Sequence, residues 1–203
     1  MIEIKHLCKN YKEKVVYQDF NITFKEQEIS VLMGPSGSGK TTLLRILAGL
    51  EPYDCGQILG LADKKVAFVF QENRLMPWLT VRENIEYVLD DAASEKMKKE
   101  KVDQVIEKMQ LTSVAHELIP TLSGGMKRRV ALGRAFAYEG DLMLLDEPFK
   151  GLDDSLKANI IDELLTYWHK QKPTIICVTH DLEEAKRLGL VIEIGKAGQH
   201  GND

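Results

Sequence analysis

A glycine, four residues and then Gly-Lys-Thr constrain this chain more than any other feature. The stretch comprises Gly34, Pro35, Ser36, Gly37, Ser38, Gly39, Lys40, Thr41 and Thr42. The motif requires one setting, a strand before it and a helix after it. Residues 29–33 form the hydrophobic lead-in, and Leu43, Leu44, Leu47 and Leu50 follow at helical spacing. Glycines let the backbone curl so that successive N–H groups turn toward an anion. The helix start adds unpaired amides and the positive end of a dipole. Lys40 supplies a mobile charge for the outer phosphates, and the Thr41 hydroxyl can hold Mg²⁺. A glycine-rich turn with a chance lysine is the competing reading, and the flanking strand and helix weigh against it.

The 203 residues suffice for one domain, or one domain with an inserted lobe. A net charge of −4 leaves no basic footprint for nucleic acid. No apolar run approaches the ~20 residues of a spanning helix. Glu3, Lys5 and His6 interrupt any signal-peptide layout, so a role at a membrane requires a partner. Cys8, Cys55 and Cys177 form neither a metal pattern nor an even disulfide framework, and read as reduced thiols of the cytosol. The phosphate loop is not repeated, so one nucleotide cassette is expected.

The opening reads as a small, mostly antiparallel sheet, with strands at residues 2–5, 15–20 and 22–24. Tyr11 lies between them, either an ordinary strand-end tyrosine or an aromatic face for adenine. Residues 49–56 read as a turn-rich link. Residues 66–70 are a continuous apolar run, a core strand, with Gln71 at its end. In open α/β sheets ligands lie beyond the carboxyl ends of strands, where a glutamine can reach a metal or a water. Arg74, Leu75, Met76, Pro77, Trp78 and Leu79 make a loop of unusually large apolar residues. Thr80 and Glu83 spell a capping box. A charged helix follows over residues 95–110, with Met97, Val102, Val105, Ile106 and Met109 on one face. Its lysines read as a solvated side. Residues 72–134 thus read as a helical lobe, with 1–71 and 135–203 forming the core.

Ser123 is an N-cap candidate for a helix through Phe136, and Gly124 and Gly125 clear space over its first amides. This is a second potential phosphate site. Residues 141–146 form a hydrophobic strand ending at Asp146, which suits Mg²⁺. Glu147 can orient or deprotonate a water. Residues 154–171 read as a helix and 173–179 as an apolar strand ending at His180. The tail from Lys196 is glycine-rich and polar, a composition that reads as disordered.

Taken in order, these motifs resemble the nucleotide-binding subunit of an ABC transporter. Tyr11 matches the adenine-stacking aromatic, residues 34–42 the phosphate loop and Gln71 the glutamine loop. Leu122 to Met126 match the family signature, Asp146 and Glu147 the Mg²⁺ site and catalytic base, Asp153 the dimer seam, and His180 the switch histidine. The resemblance implies an α/β fold: a RecA-like P-loop NTPase core, an N-terminal antiparallel β subdomain and an inserted α-helical subdomain. It implies ATP and Mg²⁺, catalytic roles for Lys40, Gln71, Glu147 and His180, and Thr41, Gln71 and Asp146 as metal ligands. It also explains the second phosphate site. Two copies pack head to tail, and Ser123, Gly124 and Gly125 face the γ-phosphate of the partner's ATP.

Transmembrane permease subunits and a solute-binding protein are implied partners, with the chain on the cytoplasmic face of the cell membrane. The apolar loop 74–79 resembles importers for nitrate, sulfonates, taurine and related compounds. Three departures stand out: Met126 where glutamine is usual, Lys150 in the seam loop, and a shorter segment 56–71. Met126 is expected to be tolerated, because the serine and glycines make the phosphate contacts. The short C-terminus leads us to expect no appended regulatory domain. The rival classes fit less well. A soluble kinase does not explain the Ser-Gly-Gly signature, and translation or repair modules usually carry two cassettes or a coiled-coil insert. Export or lipid extraction by the same motor stays open.

Overall fold

Residues 1–12, 14–90 and 93–195 are described by the computed structural model. The polar tail from Lys196, expected to be disordered, lies outside them. The chain divides into two compact units. The first comprises Met1–Phe68, Asp141–Glu147 and the chain from Lys172; the second comprises Val69–Gly140 and Pro148–Gln171. These bounds differ from the 72–134 lobe expected from sequence, because the long helix after residue 153 belongs to the second unit.

In the first unit, β1 (Ile2–Tyr11) is flanked on both sides by antiparallel neighbours, β2 (Lys14–Phe24) and β4 (Cys55–Leu59). The runs expected at 15–20 and 22–24 are one strand. β4 begins inside the stretch that reads as a link. Gly56 makes this possible: a β-carbon there would sit 2.6 Å from the His6 carbonyl oxygen. The second sheet runs in the order β5-β6-β7-β3-β8. Its members are β3 (Ile29–Met33), β5 (Val66–Val69), β6 (Leu142–Asp146), β7 (Thr174–Val178) and β8 (Leu190–Glu193). The β3/β7, β3/β8 and β6/β7 pairs are parallel. Every residue of β6 and β7 is buried, as a parallel strand covered on both faces requires.

Helix α1 (Lys40–Leu47) drives Leu43, Leu44, Ile46 and Leu47 into the core that both sheets share. Ile2, Ile4, Leu7 and Phe24 enter it from the antiparallel sheet, and Leu32, Leu144, Ile176 and Val178 from the parallel one. Burial of one such side chain contributes about 2 kcal/mol.

The thiol expectation is corrected at one pair. Cys8 and Cys55 stand opposite each other across β1 and β4 and are joined as a disulfide, 47 residues apart in sequence. Strand pairing makes them neighbours, and no spacing rule announces it. Cys177 is a buried free thiol.

The second unit is helical: α2 (Val81–Glu86), α3 (Glu95–Lys108), α4 (Gly124–Tyr138) and α5 (Asp154–Gln171). The capping box is present in full. Thr80 Oγ1 accepts from the Glu83 amide, and the Glu83 carboxylate accepts from the Thr80 amide. α3 buries Val102, Val105 and Ile106, with Met109 at its C-cap. Met97, expected on the same face, is 63% exposed. It lies in the first turn, at the margin of the apolar stripe, where the helix no longer meets the others. Gly133 lets α4 approach its neighbours: a β-carbon would lie 3.1 Å from Val105 and 3.3 Å from both Ile85 and Met109. α5 joins the unit through the stacked Phe136 and Tyr167 rings, 4.8 Å between centroids. Asp153 caps it by accepting from the Leu156 amide.

Candidate nucleotide site

The phosphate loop leaves the carboxyl end of β3 and enters α1. Gly34 has a positive φ of 144°, and a β-carbon there would meet the Ile194 carbonyl oxygen at 2.2 Å. Gly39, φ 98°, is the N-cap of α1, and no side chain caps that helix. Its first amides therefore remain available to an anion. Ser38 is buried and its amide donates to the Pro35 carbonyl, closing the loop on itself. The Lys40 ammonium donates to the carbonyls of Gly34 and Pro35 at 2.8 and 2.9 Å and to Ser38 Oγ at 3.3 Å. Burial lowers its pKa below the ordinary lysine value, opposed by the nearby charges of Glu147 and Asp146.

Three strand ends meet along one edge, because β6, β7 and β3 are consecutive in the sheet. β3 delivers the loop. β6 delivers the buried Asp146, then Glu147. Glu147 has a positive φ of 48°, rare for a non-glycine residue, and its amide donates to the Val178 carbonyl at 2.9 Å. Backbone strain of this kind costs about 1–3 kcal/mol and concentrates at functional sites. β7 delivers His180, whose Nδ1 lies 3.3 Å from the Glu147 carboxylate. The imidazole is otherwise exposed. Thus Lys40, Asp146, Glu147 and His180 belong to one unit and one sheet edge. The loop can bind an anion, the oxygen donors of Thr41 and Asp146 can hold a hard cation, and Glu147 can accept a proton.

Tyr11 ends β1 and is 40% exposed. Lys9 lies against the Tyr11 ring, its ammonium 4.5 Å from the centroid. Lys9 is buried, paired with Glu51 at 2.8 Å and donating to the Pro52 carbonyl at 2.8 Å. The hydrogen bond to Glu51 raises its pKa. This support for the ring has no motif in the sequence.

Gln71, Ser123, Gly124, Gly125 and Asp153 lie in the second unit. Gln71 is exposed at the loop after β5. Ser123 Oγ accepts from the Met126 amide at 3.2 Å, capping α4. That leaves its hydroxyl proton to donate elsewhere. Beyond its own helix and chain neighbours, no atom of the described residues lies within 4 Å of where a Gly124 β-carbon would sit. Sequence reading passed over Arg128 beyond its place in the helix. It is buried, donating to the Pro148 carbonyl at 2.8 Å, to the Phe70 carbonyl and to Asn73 Oδ1 at 3.3 Å. It ties the loop around Gln71 to the segment after Glu147. It stands in the basic run Lys127, Arg128 and Arg129, so linear sequence offers no signal that singles it out. Asn84 was also missed. Fully buried, it binds Met76 through both amide and carbonyl and donates to the Leu79 and Thr80 carbonyls, shaping the apolar loop. In that loop Trp78 is 72% exposed and Pro77 exposed, whereas Leu75 and Met76 are half-buried.

Parallel sheet, glycine loop, uncapped helix and paired carboxylates define a phosphate-loop nucleotide hydrolase. The family model described as ABC transporter matches residues 17–150, and the chain belongs to that family. It is 39% identical over 193 residues to the taurine import ATP-binding protein TauB of Escherichia coli O157:H7, covering 91% of this chain and 75% of that protein. The TauB of Escherichia coli strain K12 gives the same identity and coverage. Among solved structures it is similar to the dimeric ATP-binding cassette MJ0796 bound to ADP and Pi, with a TM-score of 0.87 and 29% identity, covering 96% of this chain and 94% of that one. A second dimeric MJ0796 structure, described as a bacterial ABC transporter cassette, gives a TM-score of 0.88 at 29% identity, covering 98% and 97%. The chain is an ATP-binding subunit of an ABC transporter, with ATPase activity coupled to transport. No helix among the described residues is long and apolar enough to cross a membrane.

Proposed function

We propose that the two units work as one ATPase domain that powers import of a small solute, through head-to-tail pairing of two copies around ATP. The observation that carries this reading is the shared sheet edge where the phosphate loop, Asp146, Glu147 and His180 converge. The amides of residues 34–42 and the Lys40 ammonium hold the phosphate chain, and Tyr11 stacks on adenine. Glu147 polarises the attacking water and accepts its proton. A bond forms from the water oxygen to the γ-phosphorus as the bond to the bridging oxygen breaks, giving ADP and phosphate. His180 braces the γ-phosphate and orients Glu147. Gln71 positions the water. Thr41, Gln71 and Asp146 offer an oxygen-only donor set that suits Mg²⁺, which when bound neutralises charge on the phosphates.

Ser123, Gly124 and Gly125 complete the partner copy's site, so Met126 is tolerated in place of glutamine. ATP joins the copies, and hydrolysis releases them. The exposed Trp78 and Pro77, with Leu118 bridged to Thr80 beside them, support docking of a transmembrane permease subunit on this face. The likeness to TauB supports a small sulfonate-like solute, a solute-binding protein in the system, and a place on the cytoplasmic face of the membrane. The net charge of −4 favours no nucleic-acid partner.

The test is Glu147→Gln. Hydrolysis should fall by about 10²–10⁴-fold, while sizing in saturating Mg-ATP should show a dimer. A monomer under those conditions would overturn the shared site.

A further inference from the structure

The start of β2 lies along the phosphate loop. Val16 and Tyr17 press on Gly39: a β-carbon there would sit 2.8 Å from the Val16 side chain and 2.7 Å from the Tyr17 hydroxyl. Two residues earlier, the Lys14 ammonium lies 3.7 Å from where a β-carbon on Gly37 would sit. Lys14 is exposed and has no carboxylate partner among the described residues. It also pairs in register with Tyr11 at the tip of the β1–β2 hairpin. Tyr11 and Lys14 therefore present an aromatic ring and, opposite it, an ammonium held over an anion-binding loop. Lys40 is already engaged with three oxygens of the loop itself.

We propose that Lys14 is a further nucleotide-binding residue, its ammonium contacting the phosphate chain from outside the loop while Tyr11 holds the base. The physical reason is charge. A triphosphate brings more negative charge than one lysine and a helix end balance, and Lys14 is an adjacent cation that no carboxylate neutralises among the described residues. The inference rests on the ATP reading above.

Binding of Mg-ATP to the wild type, Lys14→Met and Lys14→Arg, titrated at low and at high salt, tests it. The Met variant should bind about threefold to tenfold more weakly at low salt. The gap should narrow at high salt, where an exposed charge is screened. The Arg variant should bind like the wild type. Equal unfolding temperatures would exclude loss of fold as the cause. A Met variant within about twofold of the wild type at low salt, or a deficit that salt leaves unchanged and Arg does not restore, overturns the assignment. A wild type that fails to bind Mg-ATP overturns it together with the ATP reading.

Discussion

Tyr17 illustrates how a single residue serves the site without belonging to its chemistry. It is 3% exposed, its hydroxyl has no hydrogen-bond partner among the described residues, and it abuts Gly39 beneath the phosphate loop. Burial pushes its phenol well above the usual tyrosine range. A buried hydroxyl without a partner costs about 1–3 kcal/mol, while the ring supplies the packing. Tyr17→Phe should therefore unfold at the same denaturant concentration or higher, by up to about 1 kcal/mol, with Mg-ATP affinity unchanged. A clear loss of stability would mean that the hydroxyl has an acceptor. Glu147 shows the opposite trade. Its left-handed backbone is held by the Val178 carbonyl, and strain is retained where it aims a carboxylate.

At the scale of elements, α2 is short and depends on its cap. The hydrogen bonds from the Thr80 amide and hydroxyl lower the Glu83 pKa below its ordinary 4.5. The sign follows. A carboxylate with a depressed folded value contributes stability that is complete above its ordinary value and is lost as pH falls through the lower, folded one. Protection of the α2 amides against hydrogen exchange, corrected for the intrinsic pH dependence of the exchange rate, should thus be flat from neutral pH down to about 4.5 and fall below it. Thr80→Ala should destabilise by about 1 kcal/mol and reduce that acid step without abolishing it, because the residue-80 amide still donates to Glu83. An acid step of undiminished size in the variant would show that Glu83 acts through another partner. Asn84, one residue further, fixes the loop that presents Trp78, so the cap and the exposed surface share a support.

The whole molecule is predicted to be switched by its substrate. In the head-to-tail arrangement proposed above, each ATP is closed over by the signature of the other copy. Lys40→Ala should weaken Mg-ATP binding and abolish the Mg-ATP-dependent dimer while leaving the fold intact. Light scattering and circular dichroism together check this. A variant that dimerises as the wild type does at the same Mg-ATP concentration would separate pairing from the phosphate loop.

What was legible in advance obeys local rules. The strand at residues 29–33, the loop through Thr42, the capping box, the Ser123 cap, the helix from Asp154 and the strand ends at Asp146 and His180 all follow from periodicity, caps and glycine spacing. These involve residues a few positions apart, so sequence alone determined them. Only the tertiary structure decided the rest. Cys8 meets Cys55 because two strands pair. Arg128 reaches carbonyls far along the chain, Met97 falls off the packed stripe, and Lys14 comes to rest over Gly37. Each is a meeting of distant segments, set by register, close backbone approach and side-chain reach. Linear spacing carries no record of them.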